Sequence, residues 1–365
     1  MSVKNQDILI VGGGIIGMLT ARELAKAGAS VRLLERGATG QESSWAGGGI
    51  ISPLYPWRYE ESVTALAAWG QQHYPQLSRE LYEESGIDPE LLPSGLLMLD
   101  VEDTEAAQAW ATAHQHKIET LHADGLRDLE PGLAQGDSGL WMPDVAQIRN
   151  PRMAQAARSA LQKLGVVVEE HAEVTELMVE SGVIRGVQTV NGRYDAAQVV
   201  VASGAWSAEL LARLMVPVQV EPVKGQMILY RAQPDAIRHI VLNHGKYIIP
   251  RRDGHILTGS TLEFVGFEKS TTEDALMELR QAAEQMFPLL AQCEVVNQWA
   301  GLRPGTPTGI PYIGEHPQVQ GLYLNAGHFR NGVVLGPASA RLMADLVLKR
   351  APILAPDAYA LDSVH

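Results

Sequence analysis

Three glycines, Gly12, Gly14 and Gly17, stand in the spacing G-x-G-x-x-G, and an acid, Glu35, follows at the end of the next apolar run. The chemistry open to such a set is the binding of a nucleotide pyrophosphate. Gly12 permits a tight turn, Gly14 lets the pyrophosphate approach the backbone, Gly17 lets a helix pack closely on a strand, and Glu35 can accept hydrogen bonds from a ribose diol. The spacing carries weight only inside a strand–helix–strand unit. That unit is present: Asp7–Val11 and Val31–Leu34 are apolar runs of strand length, and Ile16, Thr20, Leu24 and Ala27 recur between them at helical spacing. The helix N-terminus adds N–H groups and the positive end of its dipole. The competing account is a glycine turn in an ordinary α/β protein, against which the complete unit and its terminal acid argue.

Two further glycine-marked segments stand far apart in the chain. The loop after Glu35 carries Ser43 and Ser44, whose hydroxyls can donate to phosphate oxygens, and Gly47, Gly48 and Gly49, where backbone can pass close to a flat ring. Ile50 and Ile51 at its end suit an ordered loop against a ligand better than a free surface loop. Near the C-terminus Ala326-Gly327-His328-Phe329-Arg330-Asn331-Gly332 leads from a strand, Leu322–Asn325, into a helix, Val333–Leu348. Such a helix N-terminus can face a ring or a developing negative charge.

The elements that must position these segments alternate in character. A helical pattern covers residues 60–85, mixed strand and helix covers 86–144, and Met153, Ala157, Leu161 and Leu164 mark another helix before Val166-Val167-Val168. Glu173–Glu180 and Val183–Val190 read as paired strands, and Gln198–Ala202 as a buried strand opening through Ser203-Gly204-Ala205-Trp206-Ser207 into a helix. From Pro217 the style changes to short strands, Gln226–Tyr230, Lys246–Ile249 and His255–Gly259, interrupted by a helix over Thr272–Phe287. Trp299–Pro307 reads as a Gly/Pro-rich turn enclosing a buriable arginine, Arg303.

The chain has 365 residues, enough for two domains, and a net charge of −13 argues against nucleic acid or an anionic membrane surface as the main partner. One cysteine, Cys293, excludes an internal disulfide and a cysteine-based zinc cluster, and no H-E-x-x-H spacing occurs among the histidines. No apolar stretch approaches the roughly 20 residues of a membrane span. With no export signal read at the N-terminus, a cytoplasmic protein is expected.

Taken together, VGGGIIG at Val11–Gly17, Glu35, SSWAGGGI at Ser43–Ile50, VVVASGAWS at Val199–Ser207, PVKGQ at Pro222–Gln226, YIIPR at Tyr247–Arg251, WAGLRPGT at Trp299–Thr306 and AGHFRNG at Ala326–Gly332 resemble the FAD-dependent amino-acid oxidases of the D-amino-acid oxidase superfamily, most closely the glycine oxidases of the thiamine-biosynthesis branch. The resemblance implies an α/β fold: a Rossmann-type FAD-binding domain of the glutathione-reductase kind from residues 1–85, 145–217 and 300–365, and an α+β substrate-binding domain with a large mixed sheet from residues 86–144 and 218–299. It implies non-covalent FAD, held by Gly12, Gly14, Ile15, Ile16, Gly17, Glu35, Arg36, Ser43, Ser44, Gly48, Gly49, Ile50 and Val174, and by the turn Gly327, His328, Phe329, Arg330, Asn331 and Gly332 at the ring. Arg303 matches the arginine that binds the substrate carboxylate, Tyr247 its helper and Arg330 a second active-site arginine. A planar guanidinium can grip a carboxylate through two parallel charge-assisted hydrogen bonds, which agrees with that role.

The implied reaction is oxidative deamination of glycine, sarcosine or small D-amino acids, with oxygen as acceptor and hydrogen peroxide as product. No dedicated acid–base residue is needed, so neither His244 nor His328 is assigned proton transfer, and no metal is expected. Leu242, Gly245, Ile50 and Leu262 depart from larger or more polar pocket residues of the family and leave the preference among small amines open. A D-amino-acid dehydrogenase passing electrons to a quinone, and a non-catalytic FAD-binding protein, are the competing readings. A homo-oligomer, tetrameric by resemblance, is expected.

Overall fold

The computed structural model describes residues 8–363 other than 135, 215 and 217, so Asp7 and Pro217, which bound two of the expected elements, lie outside the described residues. Among the described residues there are three sheets: a small antiparallel one of Val174–Glu180, Val183–Thr189 and Gly192–Asp195, and two larger ones that position the site. The first of the larger two has six strands in the order Tyr312–Glu315, Leu322–Ala326, Gln198–Val201, Ile8–Val11, Val31–Leu34 and Val167–Glu169, parallel except for the outer Tyr312–Glu315. Strands buried on both faces need continuous apolar runs, which is what ILIV at Ile8–Val11 and QVVV at Gln198–Val201 supply. The second sheet has eight strands, in the order Glu294–Gly305, Glu221–Arg231, His255–Gly259, Lys246–Pro250, Ile240–Asn243, Leu96–Leu99, Ser138–Met142 and Glu119–His122. It is antiparallel except where Ile240–Asn243 runs alongside Leu96–Leu99, and is therefore mixed, as expected.

The first helix, Ile15–Lys26, lies on the six-stranded sheet because two glycines let it. Gly12 has φ +112°, open to glycine at little cost, and a Cβ there would sit 2.4 Å from the Ala202 carbonyl oxygen. A Cβ on Gly17 would fall 2.0 Å from the carbonyl oxygen of Gly12. The same side of the sheet carries Glu61–Ser85, Asn150–Lys163 and Gly332–Val347, which share one apolar core with the first helix.

Gly332–Val347 holds Pro337 in its interior, where the missing N–H orphans the carbonyl four residues back. That carbonyl is Val333, and the buried Tyr74 hydroxyl donates to it at 2.6 Å. A side chain from the neighbouring helix thus replaces the lost bond and keeps the N-terminal turn of Gly332–Val347 in place.

One expectation is corrected. Residues 299–305 are not a turn but the end of a continuous strand, Glu294–Gly305, paired along its length with Glu221–Arg231. Its glycines and prolines misled because a strand at the edge of a sheet has one unpaired side, where Pro304 loses no ladder bond. The strand also crosses residue 300, the expected start of a cofactor-domain segment, without a break. The loop from Arg36 to Pro53 contains one short helix, Ser43–Ala46.

Candidate active site

A single cavity of about 500 Å³ runs from the first glycine turn to the cavity-facing side of the eight-stranded sheet. Its volume falls within the roughly 300–1,000 Å³ of small-molecule and cofactor sites. At one end stand Gly12, Gly14, Ile15 and Ile16, with Glu35, Arg36, Ser44 and Val174 around them. Gly14 is the N-cap of the first helix and has no side chain to cap that end, so apart from the Ile15 N–H the positive dipole end is left to the cavity. Glu35 is fixed by two backbone donors, Gly13 N–H at 2.7 Å and Gly37 N–H at 2.9 Å. Ser44 Oγ accepts from Ile15 N–H at 2.7 Å, whereas the Ser43 hydroxyl donates to the Leu302 carbonyl.

Two residues of this end went unread in the sequence. Trp206, in the turn after Gln198–Val201, lies under the Arg36 guanidinium with 3.6 Å from its carbon to the ring centroid. Glu42 pairs with the same guanidinium at 3.1 Å. Arg36 is thereby laid flat against the cavity wall, a cation–π contact that its spacing from Trp206 could not announce.

At the other end Gly48, Gly49 and Ile50 meet Tyr247, Met227, Gly225, Arg303 and the segment His328–Gly332. Arg303 donates through Nη2 to Ser260 Oγ at 2.7 Å and through Nη1 to the Thr261 carbonyl at 3.3 Å, and Tyr247, whose hydroxyl donates to Met227 Sδ at 3.2 Å, lines the cavity beside it. All of these partners are neutral. Burial pushes the Arg303 pKa down, and the nearby Arg330 guanidinium adds to this. A guanidinium remains charged even so, and an anion that entered would relieve both effects. Gly225 makes room for it: a Cβ there would lie 2.2 Å from both Nη atoms. Arg330 is exposed at the rim of the cavity.

His328 is fully enclosed, with Nε2 2.9 Å from Ser339 Oγ, and burial lowers its pKa to about 3. It is neutral at any ordinary pH. His244 does not line the cavity. Gly17 and Gly327 do not line it either; Gly17 serves helix packing, and Gly327 turns the chain at φ +85°. Of the four positions expected to shape the pocket, Ile50 lines the cavity, whereas Leu242, Gly245 and Leu262 do not; the other residues expected to hold the cofactor and the substrate are brought together around it.

The arrangement fits a flat, phosphate-bearing cofactor. Asn331 Nδ2 and Asn325 Oδ1 are buried polar atoms without a protein partner, and both residues line the wall. At Gly48 a Cβ would come within 2.8 Å of Ile249 Cδ1 and 3.1 Å of Tyr247 Cε2, so the bare backbone keeps the middle of the cavity open. A dinucleotide cradle at one end and a partly buried cation at the other are the parts that a flavoprotein oxidoreductase needs. The chain belongs to the FAD-dependent oxidoreductase family, whose model matches residues 7–346.

Relatives within that family are close. The chain is 49% identical over 358 residues to a glycine oxidase of Pseudomonas aeruginosa, covering 98% of each. It is 31% identical over 353 residues to a bifunctional protein ThiO/ThiG of Trichormus variabilis, covering 94% of this chain and 53% of that one. The crystal structure of glycine oxidase from Geobacillus kaustophilus superposes with a TM-score of 0.92 at 31% identity, covering 98% of this chain and 99% of the other. The protein is thus an FAD-dependent enzyme of α/β fold. Among the described residues no helix is long and apolar enough to cross a membrane, and no metal-ligand cluster occurs.

Proposed function

We propose that the protein is an FAD-dependent oxidase of glycine and other small amines bearing a carboxylate, sarcosine and small D-amino acids among them. The observation that carries this reading is Arg303: a partly buried guanidinium that opens on the cavity, with neutral hydrogen-bond partners only, beside Tyr247 and in the same cavity as the cofactor cradle. Glu263, whose charge reaches it, is already committed to Lys224 at 3.0 Å. The clamp is therefore free for a substrate carboxylate.

FAD would be held without a covalent link by the Gly12–Gly17 turn, Glu35, Arg36, Ser44, Gly48–Ile50, Val174 and His328–Gly332, and when bound it supplies the hydride acceptor. Arg303 and Tyr247 fix the carboxylate and so the direction of the Cα–H bond, which is the positional part of the catalysis. Arg330 adds positive potential at the rim. The amine enters neutral, since the carboxylates lining the cavity, Glu35, Glu42, Glu173 and Glu209, belong to segments at the glycine-turn end and His328 is too buried to take up a proton. The balance is glycine, water and oxygen giving glyoxylate, ammonia and hydrogen peroxide.

The test is peroxide release by FAD-loaded protein with glycine, sarcosine, D-alanine and L-alanine in parallel. Peroxide from glycine and sarcosine but not from L-alanine supports the reading. Flavin bleaching by anaerobic substrate without peroxide in air would assign the electrons to another acceptor, and no bleaching at all would remove the amine substrate.

A further inference from the structure

We propose that Lys224 and Glu263 are a positioning pair for the substrate clamp: they hold the segment that presents Ser260 and Thr261 to Arg303, and so set the direction in which its guanidinium faces the cavity. The inference rests on the reading of Arg303 as a carboxylate site. It goes beyond that reading by assigning a part in it to residues that do not line the cavity.

Along the strand Glu221–Arg231 successive side chains alternate between faces. Gly225 and Met227 line the cavity, while Lys224 and Gln226 do not. On the hidden face Lys224 is only 3% exposed, and its ammonium meets Glu263 at 3.0 Å, Glu268 at 3.1 Å and the Ser270 carbonyl at 3.2 Å. A buried ammonium is costly unless fully partnered, and here its three donors each have an oxygen.

The pair is tied to the clamp by consecutive bonds. The backbones of Lys224 and Glu263 exchange two hydrogen bonds of 2.9 Å, which docks the segment on the strand. The Glu263 carboxylate accepts from the Thr261 hydroxyl and from Gln226 Nε2 at 3.0 Å, and Thr261 Oγ1 accepts from Gln226 N–H at 2.9 Å. With its side chain fastened at the back, Thr261 presents its carbonyl to Arg303 Nη1 on the cavity side, and Ser260 follows with its hydroxyl to Nη2. Both nitrogens that would grip a carboxylate are thus aimed by a segment whose anchor is the Lys224–Glu263 pair.

The test titrates acetate, a carboxylate without an amine, into FAD-loaded protein and follows the flavin absorbance. Lys224→Met is expected to weaken acetate binding by about tenfold, as a clamp displaced by a fraction of an ångström should. Glu263→Gln is expected to weaken it also. KM for glycine should rise in step with little change in kcat, the Kd for FAD should stay at the wild-type value, and Lys224→Arg should restore acetate binding. Charge alone predicts opposite signs, because removing the lysine's charge weakens and removing the carboxylate's tightens an anion at Arg303. Acetate binding that is unchanged or tighter in Glu263→Gln therefore overturns the proposal, as does wild-type binding in folded Lys224→Met. Should Lys224→Met fail to fold, Glu263→Gln decides, since it keeps the side chain's shape and leaves Lys224 with Glu268 and Ser270. Wild-type protein that ignores acetate, or Arg303→Ala that binds it as well as wild type, sinks the clamp reading itself and leaves the pair nothing to position.

Discussion

Arg303 and Gly225 together make the proposed clamp: one supplies the charge, the other the absence of a side chain beneath it. Arg303→Ala should lower kcat/KM for glycine by about 100-fold or more, given roughly 1.5–3 kcal/mol for each hydrogen bond to a charged group, with FAD content unchanged. Turnover close to wild type would place the substrate elsewhere. Gly225→Ala acts more gently, because the atoms its Cβ would strike are the far end of a flexible side chain. KM for glycine should rise while the melting temperature and flavin loading hold, and steady-state kinetics with a thermal scan separates this from misfolding. Arg303 and Tyr247 were singled out through the resemblance of their flanking motifs, and the structure places both on the cavity. Gly225 was legible only as part of a motif, since its role depends on an arginine one strand away. Trp206 beneath Arg36 was not legible at all, being a meeting of two separate turns across the cavity.

At the scale of elements, the helix N-termini that face the cavity depend on close approach and on borrowed hydrogen bonds. Gly14→Leu should yield folded protein without flavin, visible as loss of the absorbance near 450 nm expected of a flavin, because a large side chain at the helix N-cap fills the space beside the glycine turn that a phosphate needs. A fully loaded yellow variant would refute that placement. Tyr74→Phe should cost about 1–3 kcal/mol, the penalty for leaving the buried Val333 carbonyl without a donor in a helix already interrupted by Pro337. Denaturant unfolding measures it, and a change within error would mean that water takes the tyrosine's place. The strand–helix–strand start and most later elements followed from apolar periodicity. Trp299–Gly305 did not, because glycine and proline mark a turn in most contexts and only the sheet's order reveals an edge strand that tolerates them.

For the whole molecule, acid is the informative stress. Burial pushes the Glu80 carboxyl up, but hydrogen bonds from Arg22, Lys26 and Gln76 outweigh it and hold the pKa at about 2, below its ordinary 4.5. Glu170, held by Arg158 and Thr39, is likewise at about 2. Groups depressed in the folded state contribute stability that is complete above their ordinary pKa and is lost as pH falls through the folded value. The melting temperature should therefore decline between pH 4.5 and about pH 2, and Glu80→Gln should flatten that decline. A slope identical in wild type and variant would remove Glu80 from the account. The existence of the two larger sheets was readable from the change in strand style along the chain. Their joining was not, since it rests on contacts such as Trp299 Nε1 to the Ala46 carbonyl at 3.1 Å and the packing of Trp45 against Trp299.

That seam has a practical corollary. The edge strand that bears Arg303 is hooked at Trp299 and Leu302 to the short helix Ser43–Ala46, whose Ser44 holds the backbone of Ile15. In the proposed function, grip on the amino acid and grip on the flavin would hang from the same stitch, so they should fail together under heat. A preparation that has faded from yellow is then spent on both counts, and adding back FAD must rebuild a carboxylate site as well as recolour the protein.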